Sequence, residues 1–184
     1  MEKGFHNTTM QDIYDATGLS PGAVYNYFSS KEDIVVAAIG EFSEWSVSSL
    51  EEVIAEHPDD SLQSIVQHWI YSVKHDGLGA GINVQLDFYS EASRNGAIRE
   101  AVLKSQEAIH IELIEVIKQN QQSGIINAGL DPLAIARTIM GIFFGMMIHK
   151  SLDPEVDLDT YGQVFQAIFN GTLCNQPAQP EKKD

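Results

Sequence analysis

Four side chains between residues 25 and 31 have the hydrogen-bonding groups and charge that contacts with a nucleic acid require. Asn26 can pair with N6 and N7 of adenine. Tyr25 and Tyr27 carry hydroxyls long enough to reach phosphate oxygens, and Lys31 supplies a cation. Each also has a structural interpretation, because Tyr25 could pack beside another tyrosine and Lys31 could be a solvated surface lysine.

The first element that must position these side chains is a short helix. Thr8, with Gln11 three residues later, has the spacing of a capping box and predicts a helix start. Gly18 follows where a helix can end in a left-handed residue, a conformation that glycine adopts at little cost.

A second short helix follows at once. Ser20 is placed to cap it, and Pro21 stands at its first position, where the missing N–H costs nothing. Two short helices joined by a glycine-containing turn predict a helix-turn-helix, whose second helix enters the major groove. Its solvent-facing side should present Pro21, Gly22, Asn26 and Tyr27, with Pro21 suited to a thymine methyl and Gly22 allowing close backbone approach.

Ser30 and Asp33 predict a third helix, which places Lys31 in its first turn. A cation at that position opposes the helix dipole by about 0.3–1 kcal/mol. A phosphate bound at the terminus would turn the conflict into two favourable interactions. This favours a phosphate contact for Lys31, and Thr9 is a further phosphate candidate.

The same stretch resembles a known family. Residues 8–34 read TTMQDIYDATGLSPGAVYNYFSSKEDI, which is similar to the DNA-binding domain of TetR-family transcriptional regulators. The most specific part is the pattern S-x-G-A-[LV]-Y-x-[HY]-F-x-[SN]-K, which runs from Ser20 to Lys31. The resemblance implies phosphate contacts for the two tyrosines and a DNA-binding set of Thr8, Thr9, Ser20, Pro21, Gly22, Ala23, Tyr25, Asn26, Tyr27 and Lys31.

The charge of the chain opposes this interpretation. The net charge is −15, whereas nucleic-acid modules usually carry a basic patch. In the first 45 residues, Lys3 and Lys31 face seven carboxylates. Net charge governs long-range fields rather than the local docking face, so we expect weaker DNA binding. The alternative function is a helical-bundle ligand-binding or structural dimer whose helix-turn-helix no longer binds DNA.

The N-terminus is expected to be incomplete. Residues 1–5 look like the final turn of an earlier helix capped by Gly4, and the family has an amphipathic helix before this point. Without that helix, Phe5, Ile13 and Phe28 should lack a partner. We therefore expect a truncated first helix.

The whole chain is predicted to be all-α, with an N-terminal helix-turn-helix DNA-binding domain and a larger helical ligand-binding and dimerisation domain. Expected boundaries are 1–45, 46–174 and a disordered tail at 175–184. A helix from Lys31 to about His57 would belong to both domains and couple them mechanically. Further helices are expected at 61–74, 83–93 after a glycine-containing loop at 75–81, 97–123, 132–152 and 157–173.

The helix at 132–152 is apolar nearly all round, which predicts burial on nearly all sides. Gly141 and Gly145 lie four apart on one face of it. Together with the last helix, it has more apolar surface than one domain of this size covers. We expect the two to pair with their copies as a four-helix bundle in a homodimer.

The resemblance implies a small-molecule pocket among the middle helices. Aromatic walls with a few polar groups suggest a candidate set: Trp69, Gln85, Phe88, Tyr89, His110, Phe143, Phe144 and Met147. Core packing is the alternative explanation for such a stripe of aromatic residues and methionine.

Other activities find little support in the sequence. The six histidines are scattered, no catalytic constellation or phosphate loop is apparent, and we expect no metal, no cofactor and no enzyme activity. The single cysteine, Cys174, fits a reducing compartment, and no uninterrupted apolar run reaches about 18 residues. We expect a cytoplasmic, ligand-responsive regulator, most simply a repressor of a palindromic operator.

Overall fold

The computed structural model describes residues 4–57, 61–75, 78–171 and 173. These residues form nine helices and no strand, so the prediction of an all-α fold is confirmed. The helices are α1 Gly4–Asn7, α2 Met10–Thr17, α3 Pro21–Tyr25, α4 Lys31–Glu56, α5 Ser61–His75, α6 Leu78–Ala92, α7 Gly96–Gln122, α8 Pro132–Leu152 and α9 Leu158–Phe169.

Helix α2 begins one residue later than predicted. Its N-cap is Thr9, whose hydroxyl accepts a hydrogen bond from the backbone N–H of Asp12 at 3.2 Å. The Asp12 carboxylate in turn accepts from the Thr9 N–H at 2.8 Å. The reciprocal bonds of this capping box fix the helix start at Thr9, so the pairing of Thr8 with Gln11 was wrong. At the other end, Gly18 is left-handed at φ 69° as expected.

Helix α4 begins at the predicted capping box of Ser30 and Asp33 and runs without interruption for 26 residues. Helix α6 begins at Leu78, five residues earlier than predicted, so two glycines of the expected loop lie inside a helix. Tertiary packing overrides the low helix propensity of glycine there, as shown by Ile82, which is buried in the first turns of α6.

Helix α9 ends at Phe169 rather than Leu173, and left-handed Gly171 (φ 65°) follows. The predicted tail at 175–184 and Cys174 lie outside the described residues.

A hydrophobic cluster joins the helix-turn-helix to the larger domain. Phe5, Val35 and Ile39 pack with Phe88 of α6 and Ile98 of α7. Phe5 is buried as a result, contrary to the expectation that it would lack a covering partner. The main core lies deeper, where α4, α5, α7, α8 and α9 contribute to a second cluster centred on fully buried side chains that include Leu50, Ile65, Leu113, Ile117 and Ile139.

Helix α8 buries only one face within the chain. Ile139 and Met147 lie on that face, whereas Ile148 and Leu152 are exposed on the other. The prediction of burial on nearly all sides therefore fails for the single chain. Length and composition alone would also let α8 cross a bilayer, which a count of uninterrupted apolar residues missed. Its packing against α6 and α7 accounts for its apolar face within this fold.

Candidate nucleic-acid interface and effector cavity

The predicted recognition helix is α3, and its capping follows the sequence signal. The hydroxyl of Ser20 accepts from the backbone N–H of Ala23 at 3.2 Å, and Pro21 stands in the first turn. Ser20 and Ala23 are thus joined in the cap that starts the helix. Val24 is the buried residue of α3.

Four side chains of the candidate set point to solvent. Pro21, Gly22, Asn26 and Tyr27 are exposed, and the side chain of Tyr27 is 83 % exposed. The space around Gly22 is open, with nothing within 4 Å of a Cβ built there. The structure therefore leaves all four residues accessible at or just after α3.

Tyr25 is partly exposed to solvent and lies beside Tyr14. Its ring is 55 % exposed and lies 6.3 Å from the ring of Tyr14, centroid to centroid. The Tyr14 hydroxyl is buried without a well-formed hydrogen bond in the described part of the chain. A polar interaction with the Tyr25 hydroxyl, together with burial, raises the pKa of Tyr14 to about 12. Tyr25 therefore contacts Tyr14 and also stays accessible from solvent.

Lys31 faces the protein rather than open solvent. Its Nζ donates to the carbonyl oxygens of Phe5 and Thr8, both at 2.8 Å, and lies 4.2 Å from the centroid of the Phe5 ring. Two of the three ammonium protons are therefore engaged. The sequence could not reveal this role, because it depends on where the chain before α2 passes the start of α4.

The two threonines before α2 differ in orientation. Thr8 is buried, and its hydroxyl donates to the carbonyl oxygen of Gly4 at 2.7 Å. Its side chain therefore faces inward and is poorly placed for DNA. Thr9 is exposed, but its hydroxyl also donates to Asp12 at 2.7 Å, so a phosphate contact would have to replace that bond.

The carboxylates near α3 are held by local partners. Asp33 accepts from the backbone N–H groups of Ser29 and Ser30 at the start of α4. Glu32 accepts from Asn95 Nδ2, which ties α4 to the turn before α7. These carboxylates stabilise a helix start and a contact between α4 and the turn before α7.

The larger domain contains a small cavity among α4 to α8. Its open volume is about 60 Å³. Four of the predicted ligand residues line it, namely Trp69, Gln85, Phe143 and Phe144. The rings of Trp69 and Phe143 lie 4.7 Å apart.

The other four predicted ligand residues do not line this cavity. Phe88 belongs to the cluster around Phe5, and Met147 to a cluster with Leu158. Tyr89 touches Phe144 edge-on at 5.4 Å and accepts from Gln106, and burial raises its pKa. Burial, and to a lesser degree Arg137, lowers the pKa of His110.

Sequence reasoning missed the polar side of the cavity. Ser49 and Ser72 lie 2.8 Å and 3.4 Å, respectively, from Nε2 of His68. His68 and Ser72 are four residues apart on α5 and interrupt its apolar face beside Trp69. That interruption of the apolar face was the sequence signal that could have revealed the polar side of the cavity.

A larger open groove of about 790 Å³ lies between α5, α9 and the end of α7, and we call it the α5–α9 groove. None of the predicted ligand residues lines it. At one end Lys74 forms an ion pair with Asp159. Helix α4 contributes no residue to it.

Two family profiles match this chain. The profile of bacterial regulatory proteins of the tetR family matches residues 1–38. The profile of the C-terminal part of BetI-type transcriptional repressors matches residues 75–172, more than half of the chain. The chain belongs to the TetR family. It is a helix-turn-helix transcriptional regulator, as the pattern from Ser20 to Lys31 indicated.

Curated relatives agree with this membership. The TetR-family regulator is 26 % identical over 178 residues to the transcriptional regulator UidR of Escherichia coli K12. The alignment covers 94 % of this chain and 86 % of UidR. The regulator is 28 % identical over 180 residues to the transcriptional repressor KstR2 of Mycobacterium tuberculosis, covering 95 % and 87 % of the two chains. These relatives are transcriptional regulators rather than enzymes.

Solved structures share the fold of this TetR-family regulator. GusR of Salmonella enterica superposes with a TM-score of 0.76 at 23 % identity, covering 94 % of this chain and 88 % of GusR. FadR of Bacillus subtilis, in complex with stearoyl-CoA, superposes with a TM-score of 0.74 at 21 % identity, covering 94 % and 90 %. Within the described residues there is no group of three or more side chains suited to hold a metal.

Proposed function

We propose that this TetR-family regulator is a cytoplasmic repressor that binds a palindromic operator as a homodimer and leaves it when a small molecule binds. Each subunit would place α3 in one half-site, with the half-sites about 34 Å or a multiple of that distance apart. The exposed surface of Pro21, Gly22, Asn26 and Tyr27 supports this docking, with Asn26 as the base-reading side chain.

The observation that carries the proposal is the continuity of α4. This helix starts at Lys31, beside α3, and its later residues Phe42, Trp45 and Ser49 line the cavity. At 1.5 Å per residue, about 27 Å of uninterrupted helix separates Lys31 from Ser49. A ligand that displaces the cavity side of α4 would therefore move the helix that directly follows α3 in the chain.

The dimer is proposed to form through α8 and α9. Ile148 and Leu152 of α8 and Val164 and Ile168 of α9 leave apolar side chains exposed, and we call these four residues the α8–α9 apolar face. Burial of this surface against a second copy would complete a four-helix bundle. On this basis we propose a DNA-binding domain at 1–45 and a ligand-binding and dimerisation domain at 46–174.

The effector is proposed to favour a dimer whose two α3 helices are wrongly spaced for DNA. A switch from 1:99 to 99:1 needs a preference of about 5.5 kcal/mol for that state. FadR of Bacillus subtilis shows that a protein of the same fold can hold a small molecule. We propose the cavity beside α4 as the effector site here, because the α5–α9 groove has no contact with that helix.

Fluorescence anisotropy with labelled DNA from beside the protein's own gene tests the function. We expect sequence-dependent binding that unlabelled random DNA does not compete away. Asn26→Ala should lower the affinity roughly tenfold, in the range of about 1–3 kcal/mol for one base-reading side chain. Asn170→Ala, an exposed asparagine after α9, is the matched control and should bind normally. Binding that is equal for all sequences would refute the repressor.

A helical-bundle dimer that no longer binds DNA is the second candidate. It is favoured by the inward orientation of Lys31, the only lysine or arginine between residues 4 and 73. This candidate predicts no DNA binding at low salt by a chain that is folded and dimeric. The same anisotropy experiment, combined with a measurement of molecular mass, separates the two.

A further inference from the structure

Gln85 is a buried amide that faces the cavity beside α4. Its side chain is 8 % exposed and lines the cavity wall. Within the described residues, no hydrogen-bond partner satisfies its carboxamide. The carboxamide therefore keeps contact with the cavity and is free to hydrogen-bond a molecule that enters it.

The three serines of the wall and His68 Nε2 already have hydrogen-bond partners. His68 Nε2 pairs with Ser49 at 2.8 Å and with Ser72 at 3.4 Å. Ser46 donates to the carbonyl oxygen of Phe42 at 2.8 Å. Beside the indole N–H donors of Trp45 and Trp69, the Gln85 carboxamide is the wall group that offers both a donor and an acceptor to a ligand.

Aromatic rings also line the cavity. Trp69 packs at 4.7 Å against Phe143, and Phe42 packs at 5.8 Å against Trp45. Aromatic side chains of this kind favour contact with a flat ring of a ligand. Among the described residues, no aspartate, glutamate, lysine or arginine lines the cavity. A charged ligand would lose its hydration without a permanent counter-charge.

We propose that the effector is an uncharged ring compound with a hydrogen-bond donor and acceptor at one edge, and that Gln85 is the residue that recognises this edge. This inference rests on the proposed function only in taking the cavity beside α4 as the effector site. The paired donor and acceptor of Gln85 select a ligand edge with the complementary pair.

The size of the cavity connects recognition to regulation. About 60 Å³ holds a few water molecules and is too small for a ring with a polar substituent. The ligand must therefore separate the rings that now close the site. Trp45 is 47 % exposed at the edge of the cavity and lies on α4, so its displacement would move the helix that directly follows α3.

Benzamide is the probe that tests this inference, with benzoate as its anionic near-isostere. Both tryptophans of the chain, Trp45 and Trp69, line the cavity, so intrinsic fluorescence reports binding at this site. We expect a saturable change with benzamide and at least tenfold weaker binding of benzoate at pH 7.5. Equal affinity for the two, or no saturable change with benzamide up to its solubility limit, would overturn the proposal.

Gln85→Leu removes the carboxamide while keeping the size of the side chain. We expect at least tenfold weaker binding of benzamide and a melting temperature equal to or above that of the wild type, because the substitution breaks no hydrogen bond within the described residues. Gln67→Leu, in the α5–α9 groove, is the matched control and should bind benzamide normally. Unchanged binding by Gln85→Leu, a lower melting temperature for it, or weakened binding by Gln67→Leu would each contradict the assignment.

The DNA experiment keeps this inference distinct from the proposed function. Gln85→Leu should bind DNA from beside its gene as the wild type does when no probe is present. Failure of both proteins to bind DNA would reject the repressor and leave the fluorescence result standing. Normal DNA binding, without a preference for benzamide over benzoate, would reject the proposed effector class and leave the proposed repressor function standing.

Discussion

The ammonium nitrogen of Lys31 lies 4.2 Å from the centre of the Phe5 ring and donates to the carbonyl oxygen of the same residue at 2.8 Å. A second bond reaches the carbonyl oxygen of Thr8 at 2.8 Å. Lys31 thus fastens the chain before α2 to the start of α4, and the favourable contacts offset its conflict with the α4 dipole.

Replacement of Lys31 should therefore destabilise the fold as well as weaken DNA binding. We expect Lys31→Met to lower the free energy of unfolding by about 1–2 kcal/mol, since a charged donor to two carbonyls and a contact with Phe5 are lost. Urea denaturation followed by circular dichroism measures this. Lys118→Met, which removes an exposed lysine paired with Glu115, should change the stability by less than about 0.5 kcal/mol. Equal stability of the two variants would show that Lys31 does not brace the domain.

The dependence of DNA affinity on salt should be unusually shallow. Lys3 and Lys31 are the only lysine or arginine residues among the first 73. A dimer could therefore neutralise at most about four phosphates through this region, which limits the slope of log K against log salt to about −4. Anisotropy titrations from low to moderate salt give this slope. A slope near −8 would require cations from elsewhere in the chain to contact DNA.

Two glycines of the helix-turn-helix should respond oppositely to alanine. Gly18 has φ 69°, so Gly18→Ala should cost about 1–2 kcal/mol of stability. Gly22 lies within α3 with open space around it, so Gly22→Ala should raise stability by up to about 1 kcal/mol. The added methyl group on the exposed surface of α3 should nevertheless weaken DNA binding by Gly22→Ala. Thermal melts test the opposite stability changes of the two variants, and anisotropy on the same samples tests DNA binding. A lower stability of Gly22→Ala would contradict the prediction.

Sequence signals located the helix starts, because a helix start depends on residues that are close together in the chain. Ser30 and Asp33 fixed the start of α4, and Ser20 with Pro21 fixed the start of α3, because capping bonds span only three residues. The start of α2 was wrong by one residue because two adjacent threonines both fit the pattern. The carboxylate of Asp12 distinguished them.

The composition of the cavity was harder to predict, because it depends on the rotation of each helix against its neighbours. Gln85 and Phe88 are three residues apart on α6, yet one lines the cavity and the other joins the cluster around Phe5. Phe143 lines it and Met147, four residues later, does not. Helical spacing places residues on a face but does not say which neighbour that face meets.

A charge on the α8–α9 apolar face should separate the proposed dimer. Ile168 is 44 % exposed in the single chain, and Ile168→Glu would bury a carboxylate against the partner's apolar surface. We expect the dimer dissociation constant to rise at least tenfold, measured by analytical ultracentrifugation. Leu103→Glu changes an exposed apolar residue on α7, away from this face, and should leave the dimer intact. A dimer that is unaffected by Ile168→Glu and lost in Leu103→Glu would place the interface elsewhere.

His110 should make the stability of the fold depend on pH below about 6.5. Burial, with a smaller contribution from Arg137, lowers the pKa of His110 below its ordinary value of 6.5. The folded state therefore binds fewer protons than the unfolded state between the lowered pKa and 6.5, and the free energy of unfolding falls as the pH drops through that range. Above 6.5 both states hold a neutral imidazole and His110 contributes no slope. Urea denaturation at pH 7.5 and pH 5.5 should show a smaller loss of stability for His110→Gln than for the wild type, and an intermediate loss for Arg137→Gln. His57→Gln, an exposed histidine after α4, should behave as the wild type does. An equal loss in His110→Gln and the wild type would show that another group controls the pH dependence.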